Sequence, residues 1–232
     1  MTITIIAEFG SSPMPAWDMA LWCMEARIAG ADAAKVQLFY VDVLYPEGQR
    51  AAMRGRDFPR ERLSDFVEAA HRAGLEAGAS VFDRPAVELA ARHCDWLKLA
   101  GSQQGNVALA VDVACSGKPY YRSLTSHALL NQTTYHASNE TRFFVVPEYP
   151  APMVKTCYHL LRAARVFRAA GLRWGHSSHT TGVFDCALAA ALGAVVVEKH
   201  FALSPSDCEA PHSLLPDQFA AMCRAIRKHE RN

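Results

Sequence analysis

An eight-stranded (β/α)8 barrel is the α/β fold that this chain predicts, on three observations. Short β-branched, apolar runs alternate with longer segments of helical period from end to end, the pattern of parallel strands joined by crossover helices. Eight such runs can be placed, enough to close a barrel. The 232 residues fit one domain of that kind, spanning 1–232, and leave no room for a second of ordinary size.

Strands are expected over residues 3–7, 33–38, 76–81, 96–99, 119–123, 143–147, 172–175 and 194–199. Helices are expected over 16–29, 60–73, 85–93, 106–115, 126–137, 151–170, 183–192 and 216–228. The 60–73 and 183–192 segments keep apolar residues on one stripe, and Gly74, Gly171 and Gly193 stand where helices should stop. Residues 39–59 form the one long irregular connection, of the kind that covers substrate at a barrel's active rim.

Composition narrows the function classes. With 50% hydrophobic and 20% charged residues, a large buried core is feasible and general disorder is not expected. A formal net charge of +1 gives no reason to expect nucleic acid or a membrane surface as partner, so small molecules are the expected partners. Seven cysteines without a Cys-x-x-Cys spacing argue against a disulfide framework or zinc knuckle and suggest a reducing, cytoplasmic setting. The first eight residues meet an acid almost at once and read as a strand, not a signal peptide. The longest apolar stretch, 186–197, is too short to span a bilayer.

Two histidine strings carry the strongest chemical signal. Trp174-Gly175-His176-Ser177-Ser178-His179-Thr180 is followed, one helix-length later, by Val195-Val196-Val197-Glu198-Lys199-His200-Phe201. In a strand–helix–strand unit these place two imidazoles at neighbouring strand ends, on the rim where barrel ligands bind. Two side chains there can grip one divalent ion, or a carbonyl and a phosphate; the plain alternative is a pair of hydrogen-bonded structural histidines.

Several strings together resemble the sialic acid synthase family, the phosphoenolpyruvate-dependent N-acetylneuraminate synthase group with its legionaminic, pseudaminic and spore-coat polysaccharide relatives. They are Ile6-Ala7-Glu8-Phe9-Gly10, Ala29-Gly30-Ala31-Asp32-Ala33-Ala34-Lys35-Val36-Gln37, Lys98-Leu99-Ala100-Gly101-Ser102, Lys118-Pro119, Glu148-Tyr149-Pro150-Ala151-Pro152, Gly175-His176-Ser177-Ser178-His179-Thr180 and Glu198-Lys199-His200-Phe201. They recur in family order over nearly the whole chain.

The resemblance implies a metal-dependent condensation of phosphoenolpyruvate with an aldehyde sugar or analogue to give a 2-keto-3-deoxy sugar acid. Lys35 and Lys98 would hold the phosphate and carboxylate of phosphoenolpyruvate, with Ser80, Ser123 and Ser177 completing the anion site. A trianion needs such fixed cations and donors aimed inward from several strands; each serine alone reads equally as a helix cap or turn. His179 and His200 match metal-ligand positions, and two imidazoles suit manganese, or cobalt, better than magnesium. Glu8 and Tyr149 fall on the acceptor side. Glu209 stands where the family has an aspartate, and could position sugar hydroxyls or water; as a lone loop acid it reads as a solvated charge.

The pattern also breaks in places. Ser12-Pro13 replaces the family's Asn-His pair, Gly101 replaces a serine that Ser102 would compensate, and Pro147 replaces an asparagine that contacts phosphoenolpyruvate. Ser178 replaces an aspartate, which reads as the loss of a charge beside the metal. Residues 39–59 lack the family's sugar-contacting asparagine and offer Arg50, Arg54 and Arg56, either a solvated basic surface or a face for an acidic acceptor. The resemblance covers the barrel alone, without the C-terminal antifreeze-like domain, so N-acetyl recognition does not carry over and a homo-oligomer is left open. These losses motivate an alternative from another class: a catalytically degenerate barrel acting as a ligand-binding or regulatory subunit in a surface-glycan or natural-product pathway.

Overall fold

A computed structural model describes residues 2–10, 19–126 and 137–230. Eight parallel strands pair in sequence order and the last returns to the first, closing the barrel. They are β1 (Thr4–Glu8), β2 (Ala33–Leu38), β3 (Glu76–Val81), β4 (Trp96–Leu99), β5 (Tyr120–Leu124), β6 (Glu140–Val145), β7 (Trp174–Ser178) and β8 (Val196–His200). Helices Met19–Ile28, Leu63–Arg72, Arg84–His93, Val107–Cys115, Met153–Ala169, Phe184–Ala191 and Pro216–Arg227 lie between or after the strands. The helix expected over 126–137 falls largely outside the described residues, as do the start of the 16–29 helix and Ser12-Pro13.

Outward-facing strand residues such as Ile5, Ala7, Val36, Leu97, Phe144 and Val197 meet the apolar stripes of the helices in one continuous core. Leu63, Phe66, Val67 and Ala70 form one such stripe at helical spacing. Asp83 caps the Arg84–His93 helix by accepting from the Ala86 N–H at 2.8 Å, and Arg60 clamps the same carboxylate from the preceding segment at 2.6 and 2.9 Å.

Several strands run further toward their carboxyl ends than the apolar runs suggest. β7 is the clearest case: expected over 172–175, it continues through His176, Ser177 and Ser178. Those polar residues stay in the strand because each finds a partner inside the barrel or behind it. β6 deviates the other way, spanning Glu140–Val145 and stopping short of Pro147, which has no N–H to give a ladder. The connection 39–59 is not irregular throughout, since it holds two short helices, Val41–Leu44 and Glu47–Met53. Tyr45 divides them in an extended conformation (φ −106°, ψ 140°), the geometry forced on a residue preceding proline, here Pro46.

Because strand side chains alternate faces, every second residue points into the barrel. The lower interior layer is an apolar plug of Ile6, Ala33, Trp96, Phe143 and Val196, with Tyr121 against it. Tyr121 stacks on Phe143 at 4.8 Å between ring centroids and meets Trp96 edge-on at 4.8 Å. The Trp96 ring occupies the place a side chain would take at Gly78, where a Cβ would lie 2.3 Å from it. This plug closes the floor beneath the next layer.

Candidate active site

Two residues beyond the plug, the inward positions turn polar: Glu8, Lys35, Ser80, Lys98, Ser123, Ser177 and Glu198. They line the depth of a cavity of about 720 Å3 at the carboxyl ends of the strands. Lys35 Nζ pairs with Glu8, lies 3.0 Å from Glu198 Oε2, and donates to Ser80 Oγ at 2.8 Å. Lys98 Nζ pairs with Glu198 Oε1 and reaches Ser177 Oγ at 3.3 Å, while Ser177 donates to that same carboxylate oxygen at 2.8 Å. Two ammonium groups therefore face two carboxylates, all four buried. Ser123 Oγ is buried and has no hydrogen-bond partner among the described residues, an unspent donor of the kind that marks a ligand site.

Burial shapes the charges in this layer. It pulls the Lys98 ammonium down to about 8, helped by Lys35 and opposed by Glu198. For Lys35 burial acts the same way, but Glu198 and Glu8 together outweigh it and hold the ammonium above its ordinary range. Burial alone would raise Glu198; Lys35 and Lys98 keep it ionised far below the usual carboxylate range.

The rim layer stands one step higher. His179 donates from Nδ1 to the Val146 carbonyl at 2.9 Å, and His200 donates from Nδ1 to Glu209 Oε2 at 2.8 Å. Each ring thus spends one N–H on the protein and leaves an Nε2 lone pair for a ligand. The ring centroids are 5.5 Å apart, and burial, then repulsion from His200, pushes His179 well below the usual histidine range. It is therefore a neutral imidazole, the form that binds metal. Tyr149, exposed on its outer side, lays its ring over His179 at 4.1 Å and meets His200 edge-on at 6.2 Å.

Glu209 is not the solvated loop charge that an isolated acid suggests, being only 8% exposed. Its carboxylate lies over Gly10, where a Cβ would stand 1.6 Å from Oε2, and Gly10 itself adopts φ +64°. Glycine is needed there on both counts. Two imidazole nitrogens, from His179 and His200, fit a divalent transition ion better than magnesium, and Glu209 fixes the His200 ring from its other nitrogen.

The remaining sequence candidates divide. Ser102 sits in the turn Gly101–Gln103, exposed at the cavity edge above the buried anion layer. Pro147 does line the cavity. Of the three loop arginines only Arg56 lines it, and Arg50 donates instead to the Tyr45 carbonyl at 3.0 Å. Ser178 corrects the expectation of a charge lost beside the metal. It faces away from the cavity, accepting from Lys199 at 3.1 Å behind the strand. Buried Asp185 serves that outer region, bonding His176 Nε2 and Thr180 Oγ1 at 2.8 and 2.9 Å.

In the sequence Glu198 stands within a motif without a role of its own, and His212 carries no mark at all. The signal for Glu198 was present: it lies two residues before His200 on one strand, as Ser177 lies two before His179. His212 carried no such signal, since a loop position has no period to read.

Comparison with known proteins shows the family and the fold. The chain is 31% identical over 126 residues to N,N'-diacetyllegionaminic acid synthase of Campylobacter jejuni, covering 53% of this chain and 32% of that protein. It is 28% identical over 255 residues to the spore coat polysaccharide biosynthesis protein SpsE of Bacillus subtilis, covering 98% of this chain and 68% of that one. It spans only about a third to two thirds of the length of the curated relatives it matches. The crystal structure of N-acetylneuraminic acid synthetase from Leptospira borgpetersenii, in complex with citrate, shares the fold. That superposition has a TM-score of 0.84 at 21% identity and covers 99% of this chain and 84% of that one. The sequence profile of the NeuB family matches residues 23–232, nearly all of the barrel whose strand ends carry these groups, and the chain belongs to that family.

Proposed function

We propose that this chain is a sugar acid synthase that condenses phosphoenolpyruvate with an aldehyde sugar or analogue, giving a 2-keto-3-deoxy sugar acid. The observation that carries the reading is the stacking of two layers in one cavity: a buried Lys35–Lys98 pair below, and two imidazoles with open Nε2 atoms above. Names of relatives support the class of product, as with the legionaminic acid synthase of Campylobacter jejuni.

In this reading Lys35 and Lys98 exchange their carboxylate partners for the phosphate and carboxylate of phosphoenolpyruvate, with Ser80, Ser123 and Ser177 donating to its oxygens. C3 of the enol then bonds to the aldehyde carbon, whose C=O π pair becomes an alkoxide and takes up a proton; water adds to the oxocarbenium carbon C2 and loses a proton, and the C2–O bond to phosphate breaks to leave the keto group and inorganic phosphate. Glu8 and Glu209 accept from sugar hydroxyls or the attacking water, and Tyr149 covers the acceptor from above. His179 and His200 would hold a divalent ion, most simply manganese, which supplies Lewis-acid polarisation of the acceptor aldehyde when bound. Seven free thiols fit a reducing cytoplasm as the place of work.

The test follows phosphate release from phosphoenolpyruvate with manganese and a panel of aldoses, alongside Lys35→Met and Lys98→Met. Turnover abolished by both substitutions is the expected result. Absence of phosphate release with every aldose, combined with no calorimetric binding of phosphoenolpyruvate, would sink the reading. Pro147 in the cavity wall favours a second one, a barrel that binds the anion without turning it over. Tight binding without phosphate release would select it.

A further inference from the structure

We propose that His212 is a further ligand of the metal centre, so that His200, His212 and, from β7, His179 turn ring nitrogens to one ion, while Glu209 stays on His200 Nδ1 and orients that ring. This rests on the metal-dependent reading above and goes beyond its two imidazoles. Ligand atoms of His200, Glu209 and His212 all lie within 4.8 Å of one another. The His200 and His212 ring centroids are 4.7 Å apart.

Local structure explains how a loop residue reaches the site. After β8 the chain runs out and folds back, Leu214 N–H returning to the His200 carbonyl at 2.9 Å and Ala202 N–H to Leu214 at 3.1 Å. Within that return, Ala210–His212 is a single 3-10 turn, and residues three apart eclipse in such a turn. Glu209 and His212 therefore stand on one side of it. The turn is pinned at its base, where Ser213 Oγ donates to the Glu209 carbonyl at 2.8 Å.

His212 Nε2 stands 3.8 Å from Glu209 Oε2, too long for a hydrogen bond, so that carboxylate does not take up the ring and its nitrogen is open to an ion beside His200. The Tyr149 ring, 5.2 Å from His212 and 4.1 Å from His179, shields these imidazoles from solvent on one side. A set of imidazoles favours a first-row divalent transition ion over magnesium, which prefers oxygen ligands.

Cobalt(II) titration of the metal-free chain, read by visible absorption and calorimetry, is the test. The wild type should take one equivalent, with absorption bands that change in His212→Ala and an affinity that falls there about tenfold or more. His212→Gln, which keeps a polar side chain in the loop, carries the same test should His212→Ala fail to fold. Wild-type affinity and an unchanged spectrum in both variants, with binding lost in His200→Ala, would overturn the role of His212 and leave the two-imidazole reading standing. No cobalt bound by the wild type would overturn both.

Discussion

Inside one barrel, two layers separated by two residues on each strand do opposite things. In the lower, Trp96, Tyr121 and Phe143 pack ring against ring. In the upper, the next inward positions of those strands are Lys98, Ser123 and Val145. Backbone geometry is the same in both. The lower layer stabilises the fold by taking apolar surface out of water, roughly 1.5–3 kcal/mol for each large side chain. The upper buries two ammonium groups and two carboxylates, whose desolvation offsets most of their mutual attraction. Stability is concentrated below and chemical potential above, and substitutions along a single strand should separate the two.

The largest effect belongs to Trp96→Ala in the plug. Its ring fills the space over Gly78, so truncation leaves a void that the glycine strand cannot fill, at a cost of about 3–5 kcal/mol. The urea midpoint should fall sharply while the KM for phosphoenolpyruvate stays put. A loss below 1 kcal/mol, by the yardstick of buried aromatic truncations, would mean the plug does not carry the fold. Next comes Glu198→Gln, which removes the carboxylate shared by both buried lysines, at a cost of about 3 kcal/mol, the lower end for breaking a buried pair. Here both the urea midpoint and phosphate release should drop. An unchanged midpoint would show that the layer does not depend on charge pairing.

Gly10→Ala sharpens the comparison at the rim. A methyl group at φ +64° must displace the Glu209 carboxylate, for about 1–2 kcal/mol, and frees His200 Nδ1 from its partner. The denaturation midpoint measures the first effect. No change there would mean that Glu209 swings aside at no cost.

How far the sequence discloses the molecule follows the same division. All eight strands are legible, because β-branched runs and helical stripes repeat with clear periods. The ends of β1, β7 and β8 are not, since Glu8, Ser177, Ser178 and His200 break the apolar pattern that marks a strand. Lys35, Lys98, His179 and His200 are legible through their motifs, and the structure brings them to one cavity. The sequence signals that Glu198 faces inward, but its pairing with both lysines, like the place of His212 beside His200, comes only from three dimensions. One depends on knowing that two lysines from different strands meet at the same carboxylate, the other on a loop folding back over β8.

The smallest effect is the most selective, because it moves stability and binding in opposite directions. Lys98 has a folded-state value of about 8, below the ordinary 10.5, so its protonated form is the costlier one in the fold. Between pH 8 and 10.5 the unfolded chain binds more protons at this site, and stability should rise with pH over that window. Anion binding needs the proton, so affinity for phosphoenolpyruvate should fall by about tenfold per pH unit above the break. Lys35, held above its ordinary range by Glu198 and Glu8, keeps its charge throughout and does not blur the break. Calorimetry across that window should show the break in the wild type and a flat, weaker response in Lys98→Met. A break that persists in the variant would assign the titration to another group and remove Lys98 from the anion site.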